Sequence, residues 1–165
     1  MKADPSFDFA AIAAELNRRG IRWLLFGRQA VVLYGSPVSS ADWDVWADPA
    51  QRGEVLEYFA SLGYEVSAEV DDLAPIVKVR AGLERIDLFL MRAMVNREGQ
   101  QIDFSTTLAR AGVVTERFDR SDAIRVPAID DLIALKKMGA AVRPKDEEDI
   151  RYLLVRKAMG LPDPT

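Results

Sequence analysis

The sequence predicts a single α+β domain with a mixed β-sheet, flanking helices and a pair of helices at the C-terminal end. Two observations predict it: apolar runs of strand length are interleaved with amphipathic segments of helix length, and glycines punctuate the boundaries. A chain of 165 residues is typical of one domain. We place its core at about residues 20–126 and the C-terminal helices at about 128–160.

Capping and turn residues set the order of the elements. Ser6 or Asp8 could cap a first helix that ends at Gly20, a buried strand then stops at Gly27, and a helix follows to Gly35. Next we predict a strand over 41–47, a helix over 49–63, strands over 64–70, 74–81 and 85–91, and helices over 129–142 and 144–160. The stretch 92–126 is predicted to hold a short helix near 105–111 and two further strands.

The composition excludes several kinds of chemistry. The chain is 49% hydrophobic and 29% charged, with a net charge of -4, and has no cysteine and no histidine. Thiol nucleophiles, disulfides, histidine general bases and imidazole ligands are therefore excluded. A metal would have to be held by oxygen, which favours Mg²⁺ or Mn²⁺. With no membrane-spanning run and no signal-peptide pattern at the start, we expect a cytoplasmic protein that does not bind a membrane.

Two aspartates flank a tryptophan in the segment SSADWDVWA. Side chains alternate between the faces of a strand, so Asp42 and Asp44 should project from one face. Two carboxylates held side by side repel each other, and a divalent cation would relieve that repulsion. The alternative is a solvent-facing pair on an edge strand.

A third aspartate, Asp87, lies in the apolar run RIDLFLM. An isolated carboxylate in a buried strand is costly, so a metal or another partner is expected. If this strand pairs with the strand of Asp42 and Asp44, three carboxylates converge, as in two-metal phosphoryl-transfer sites. Alternatively, Asp87 meets water or an arginine such as Arg85 or Arg80. Asp103 is a weaker candidate for the third carboxylate.

The segment FGRQAVVLYG places Gly27 between a strand and a helix. Backbone N–H groups at such a turn suit a phosphate, and Arg28 could add charge-assisted bonds to it. The alternative is an ordinary turn with a solvated arginine.

These segments, together with DDLIALKKMGAAVRPKDEEDI, resemble the nucleotidyltransferase fold of the DNA polymerase β superfamily. They are most similar to the branch of abortive-infection-type nucleotidyltransferase toxins and their uncharacterised relatives. The resemblance spans residues 24–151. It implies Gly27 as the turn glycine, Asp42, Asp44 and Asp87 as catalytic metal ligands, and a nucleoside triphosphate as substrate. It also implies that Lys136 faces nucleotide phosphate, with Lys145 and Asp146 in a downstream stretch.

One residue departs from the family pattern. Arg28 stands where the family usually has glycine or serine, and a bulky side chain there either replaces a phosphate contact or obstructs the triphosphate. Two interpretations of function therefore remain, and a third is a purely structural domain whose acids are salt-bridged. One is a Mg²⁺-dependent nucleotidyltransferase acting on an RNA end, a protein or a small molecule such as an aminoglycoside. The other is a catalytically silent nucleotide- or partner-binding module of a toxin–antitoxin pair.

Aromatic and basic residues have simpler interpretations. Trp23, Trp43 and Trp46 are predicted to pack in the core or at its rim rather than to stack on bases. The C-terminal helices are locally basic, but acids interleave with the basic residues, which favours a solvated helix face over an RNA-binding face.

Overall fold

A computed structural model describes residues 7–68, 73–114, 123–138 and 143–164. The elements, in chain order, are α1 Phe9–Arg18, β1 Trp23–Phe26, α2 Gly27–Leu33, β2 Asp42–Ala47, a 3-10 turn Pro49–Gln51, α3 Arg52–Ser61, β3 Glu65–Val66, β4 Ile76–Ala81, β5 Glu84–Phe89, β6 Ala93–Val95, β7 Gln101–Asp103, α4 Phe104–Arg110, β8 Gly112–Val114, β9 Ile124–Val126, α5 Ile129–Lys136 and α6 Pro144–Ala158. This is the mixed α+β architecture that the sequence predicts.

The main sheet has five strands in the order β1-β2-β5-β4-β3. All neighbours are antiparallel except β2 and β5, which run parallel. The parallel pair is central to the sheet, so residues of β2 and β5 that share a register lie side by side on one face. Two further antiparallel pairs, β6–β7 and β8–β9, complete the strands of the described residues.

The apolar side chains of the central strands build the core. Val45, Ile86 and Leu88 are buried and share one face of the sheet. Trp23 and Trp46 are buried as well, and the half-buried Trp43 stacks on Phe9 with ring centroids 4.1 Å apart. The prediction that the tryptophans serve packing is confirmed.

Several boundaries differ from the sequence prediction. The strand predicted over 64–70 is only Glu65–Val66, and its predicted last residues lie outside the described part. Ser6 and the predicted end of α5 over 139–142 also lie outside it, whereas Asp8 does cap α1. Among its described residues, the stretch 92–126 holds four short strands where the sequence predicted two. The prediction missed the others because each strand is only three residues long and has too little periodicity to recognise. Among the described helices, none has the length and apolar character needed to span a membrane.

Candidate active site

Asp44 and Asp87 face each other across the parallel pair. The register places Asp44 opposite Asp87 and Asp42 opposite Arg85. The two strands do pair, which was the condition for the carboxylates to converge, and the pairing brings two of the three together directly. Asp42 lies one register step away, two residues before Asp44 on the same face.

Gly27 is required by the close approach of Asp44. It follows β1 directly and has φ +67°. A Cβ built at this position would lie 2.0 Å from the Asp44 Oδ2 atom. Only glycine satisfies both the left-handed backbone and this contact, so the turn glycine helps seat a carboxylate.

Asp44 is poorly compensated. Burial and the neighbouring Asp87 carboxylate raise its pKa from 3.8 to about 6. Lys136 and Arg143 attract its charge and limit this rise. On Asp87, Oδ1 is buried and accepts no hydrogen bond from any described residue. These two carboxylates thus hold negative charge for which the described part of the chain supplies incomplete compensation.

Arg85 lies between the carboxylates of Asp42 and Asp87. Its Nη2 donates to Asp42 Oδ2 at 2.9 Å, and its Nε is 3.8 Å from Asp87 Oδ1. The alternative that an arginine meets Asp87 therefore holds in this structure. The contact with Asp42 was not foreseen, because only the parallel pairing of β2 with β5 brings Arg85 opposite Asp42.

Lys136 takes part in a second, buried charge cluster. Its Nζ is 2.5 Å from Asp146 Oδ1 and 2.8 Å from Asp149 Oδ2, and all three side chains are buried. Arg143 Nε lies 2.7 Å from Asp146 Oδ2. Lys136 reaches the cavity beside Asp44, but its ammonium is held by α6 instead of pointing freely at a ligand.

Arg28 is drawn toward the same helix. Its Nε is 3.4 Å from Asp149 Oδ1, and its Nη2 is 3.6 Å from Glu148 Oε1. Asp149 and Glu148, both on α6, thus hold the arginine that directly follows the turn glycine. Arg28, Arg143 and Lys145 nevertheless line the cavity that contains the carboxylates.

The cavity at the carboxylates is small. It holds about 60 Å³ and adjoins another of about 100 Å³ that shares Asp44, Asp87, Lys136, Arg143 and Asp146. Pockets for ligands of nucleotide size hold a few hundred cubic ångströms, so a triphosphate requires charged side chains to move aside.

The carboxylates offer oxygen ligands for a divalent cation. The facing pair Asp44–Asp87, with a buried Asp87 oxygen that accepts no hydrogen bond from the described residues, suits an oxygen-ligated cation. The described residues contain no ready-made group of three or more metal-ligating side chains, because Asp42 is turned to Arg85. The donor chemistry of the pair suits Mg²⁺ or Mn²⁺, and both the metal and the set of three ligands stay predictions.

One candidate residue, Asp103, lies away from the cavity, and two residues of the site were not predicted. Asp103 is exposed and caps α4 by accepting from the Thr106 backbone N–H, so it serves the helix and not the cavity. Asp149 and Arg143 were not singled out. The signal for Asp149 was its spacing from Asp146, since residues three apart share a helix face.

No family model and no curated protein matches the sequence. Among solved structures, the chain resembles the lincosamide antibiotic adenylyltransferase LnuA, with a TM-score of 0.64 and 18% identity over 87% of this chain and 92% of that one. It also resembles the antibiotic-resistance factor ANT(2'')-Ia, with a TM-score of 0.60 and 18% identity over 89% and 80% of the two chains.

A third similar structure is a putative nucleotidyltransferase from Thermotoga maritima, with a TM-score of 0.58 and 17% identity over 87% of this chain and 88% of that one. Each of these likenesses covers most of both chains, and the shared feature is the fold. The expectation from the sequence is confirmed at that level: the chain adopts the nucleotidyltransferase fold.

Proposed function

We propose that this protein is a divalent-metal-dependent nucleotidyltransferase that transfers a nucleoside monophosphate from a nucleoside triphosphate to a hydroxyl acceptor. The observation that carries the proposal is the facing pair Asp44–Asp87, seated against Gly27 in a nucleotidyltransferase fold. A structural pair of acids would be expected to be hydrogen-bonded to cationic partners, whereas Asp87 Oδ1 is buried, accepts no hydrogen bond from the described residues and lies 3.8 Å from Arg85 Nε.

Each residue has a role in this proposal. Asp44 and Asp87 hold the cation, with Asp42 as the third ligand. Arg28, Arg143 and Lys145 line the cavity and bind phosphate oxygens. Lys136 stays paired with Asp146 and Asp149 of α6 and attracts the phosphates electrostatically without contacting them. Mg²⁺, when bound, would supply charge neutralisation and orientation of the phosphates.

The reaction is an in-line displacement at phosphorus. The acceptor oxygen attacks the α-phosphorus while the bond to the bridging oxygen of the β-phosphate breaks. Pyrophosphate leaves with the electron pair of that bond. The acceptor proton passes to the carboxylate of Asp87, which has an oxygen that accepts no hydrogen bond from the described residues.

We propose a small-molecule hydroxyl as the acceptor. The structures similar to this chain include the lincomycin-bound LnuA and ANT(2'')-Ia in complex with adenylyl-2''-tobramycin. The chain spans most of both proteins, which supports the same kind of acceptor for this one. The resemblance to toxin-like nucleotidyltransferases instead favours an RNA end or a protein, and the acceptor screen below includes both.

The test combines binding with label transfer. Calorimetry with each nucleoside triphosphate, in Mg²⁺ and in EDTA, selects the nucleotide. Its α-³²P form is then incubated with lincosamides, aminoglycosides, RNA and protein. We expect Asp87→Asn to lower transfer about a hundredfold or more. The control is Asp103→Asn, because Asp103 is exposed and caps α4. Transfer that survives in an Asp44→Asn/Asp87→Asn double variant would overturn the proposal.

A silent binding module is the second candidate. The Arg85 contacts with Asp42 and Asp87 favour it, because they already place a cation among the carboxylates. In that case nucleotide or a toxin–antitoxin partner would bind equally in Mg²⁺ and EDTA, with no label transfer.

A further inference from the structure

The guanidinium of Arg85 occupies a position between carboxylates that a metal would also need. It contacts Asp42 at 2.9 Å and lies 3.8 Å from Asp87. Arg85 Nε is buried and donates no hydrogen bond to any described residue. One oxygen of each carboxylate thus faces an arginine that is only partly satisfied.

The backbone explains why Arg85 reaches both acids. Arg85 and Asp87 lie two residues apart in β5 and share a face, and the parallel register sets Asp42 beside Arg85. The contact is therefore a product of the sheet and not of a mobile surface chain.

These ion pairs can be exchanged at low cost. The side chains of Arg85 and Asp42 are 38% and 37% exposed, so water can take over when the pair separates. Exposed pairs of this kind contribute little to stability. The pairs of Lys136 are fully buried and could not open in the same way.

We propose that Arg85 is a resident counter-ion of the metal site, held by Asp42 and Asp87 until a divalent cation displaces it. The inference rests on the proposed function, since it concerns the same three carboxylates. It accounts for two features together: the absence of a three-ligand group among the described residues, and the small volume of the cavity. Displacement releases Asp42 to the cation and takes the guanidinium out of the cavity that it lines.

The test measures Mn²⁺ binding directly, with no nucleotide and no turnover. Electron paramagnetic resonance of free Mn²⁺ gives the dissociation constant for the wild type, Arg85→Gln, Arg85→Lys and Asp44→Asn. The matched control is Arg80→Gln, because Arg80 lies opposite Arg85 on β4, is exposed, and has the same charge. Thermal melts confirm that each variant is folded.

We expect Arg85→Gln to bind Mn²⁺ about five- to tenfold more tightly than the wild type, because the cation then has no Arg85–Asp42 ion pair to break. Arg85→Lys should lie between the two, and Arg80→Gln should stay within about twofold of the wild type. Asp44→Asn should lose the site.

Three results would overturn parts of this picture, and they can be told apart. If wild type and Arg85→Gln bind Mn²⁺ equally and Asp44→Asn does not bind it, Arg85 is not a counter-ion but the metal site stands. Equal tightening in Arg80→Gln would reject it too, because the effect would then be long-range charge. No binding by any variant at millimolar Mn²⁺ would reject the metal-dependent function together with the inference.

Discussion

Two clusters of charge line the same cavity and are built differently. In the α5–α6 cluster, Lys136 bridges Asp146 and Asp149 within 2.8 Å, and every member of that bridge is buried. In the sheet cluster, Asp44 and Asp87 face each other, and the one ion-pair contact of Asp87 within the described residues is Arg85 at 3.8 Å. Buried charge that is paired holds helices together, whereas carboxylates left short of cations are available to a ligand.

The largest effect is expected from removing Lys136 from the α5–α6 cluster. Lys136→Met removes the cation between two buried carboxylates and should lower the free energy of unfolding by about 3 kcal/mol or more, because a buried charge is then left without its partner. The control is Lys137→Met, which removes a half-exposed ion pair with Glu98 and should cost under about 0.5 kcal/mol. Urea unfolding of both variants measures the difference. Equal midpoints would show that the cluster does not hold α5 to α6.

The second prediction acts on the sheet cluster and has the opposite sign. Above pH 6 Asp44→Asn should raise the free energy of unfolding by about 2 kcal/mol, since a shift of the pKa from 3.8 to about 6 corresponds to about 3 and residual exposure screens part of it. The raised pKa means that the stability gained from protonated Asp44 is complete below pH 3.8 and lost as the pH rises through about 6.

Urea unfolding of wild type and Asp44→Asn between pH 3.5 and pH 8 checks this, because the difference between the two curves isolates Asp44 from other titrating groups. A gap between the curves that opens from about pH 4 and levels off above about 6.5 is the expected pattern. A constant gap would mean that the carboxylate is compensated in a way the described contacts do not show.

The third prediction sharpens the comparison at Gly27. Gly27→Ala should cost at least about 1 kcal/mol more than Gly20→Ala, because a methyl group would collide with Asp44. The two glycines have φ +67° and +68°, but a Cβ at Gly20 meets nothing within 4 Å. Thermal unfolding of both variants measures the excess. Equal costs would reduce the role of Gly27 to its backbone angle alone.

The order of elements and the three aspartates were predictable from the sequence. Glycines mark the ends of β1 and α2 in the chain itself, and alternation in β2 places Asp42 and Asp44 on one face. The short pairs β6–β7 and β8–β9 were not predicted individually, because a strand of three residues shows too little alternation to recognise. Lys136 was assigned to phosphate from the family pattern, and its burial between two α6 aspartates was not predictable from spacing.

By itself, the sequence determined the absence of cysteine and histidine chemistry, the α+β class, and the presence of aspartates in strands where carboxylates are costly. Those properties follow from residue type and local periodicity. Tertiary structure decided which charges meet. The parallel register placed Asp44 opposite Asp87 and Arg85 opposite Asp42. Acids of α6 formed ion pairs with Lys136 and Arg28. Contacts between residues distant in sequence depend on pairing and packing, which local patterns do not specify.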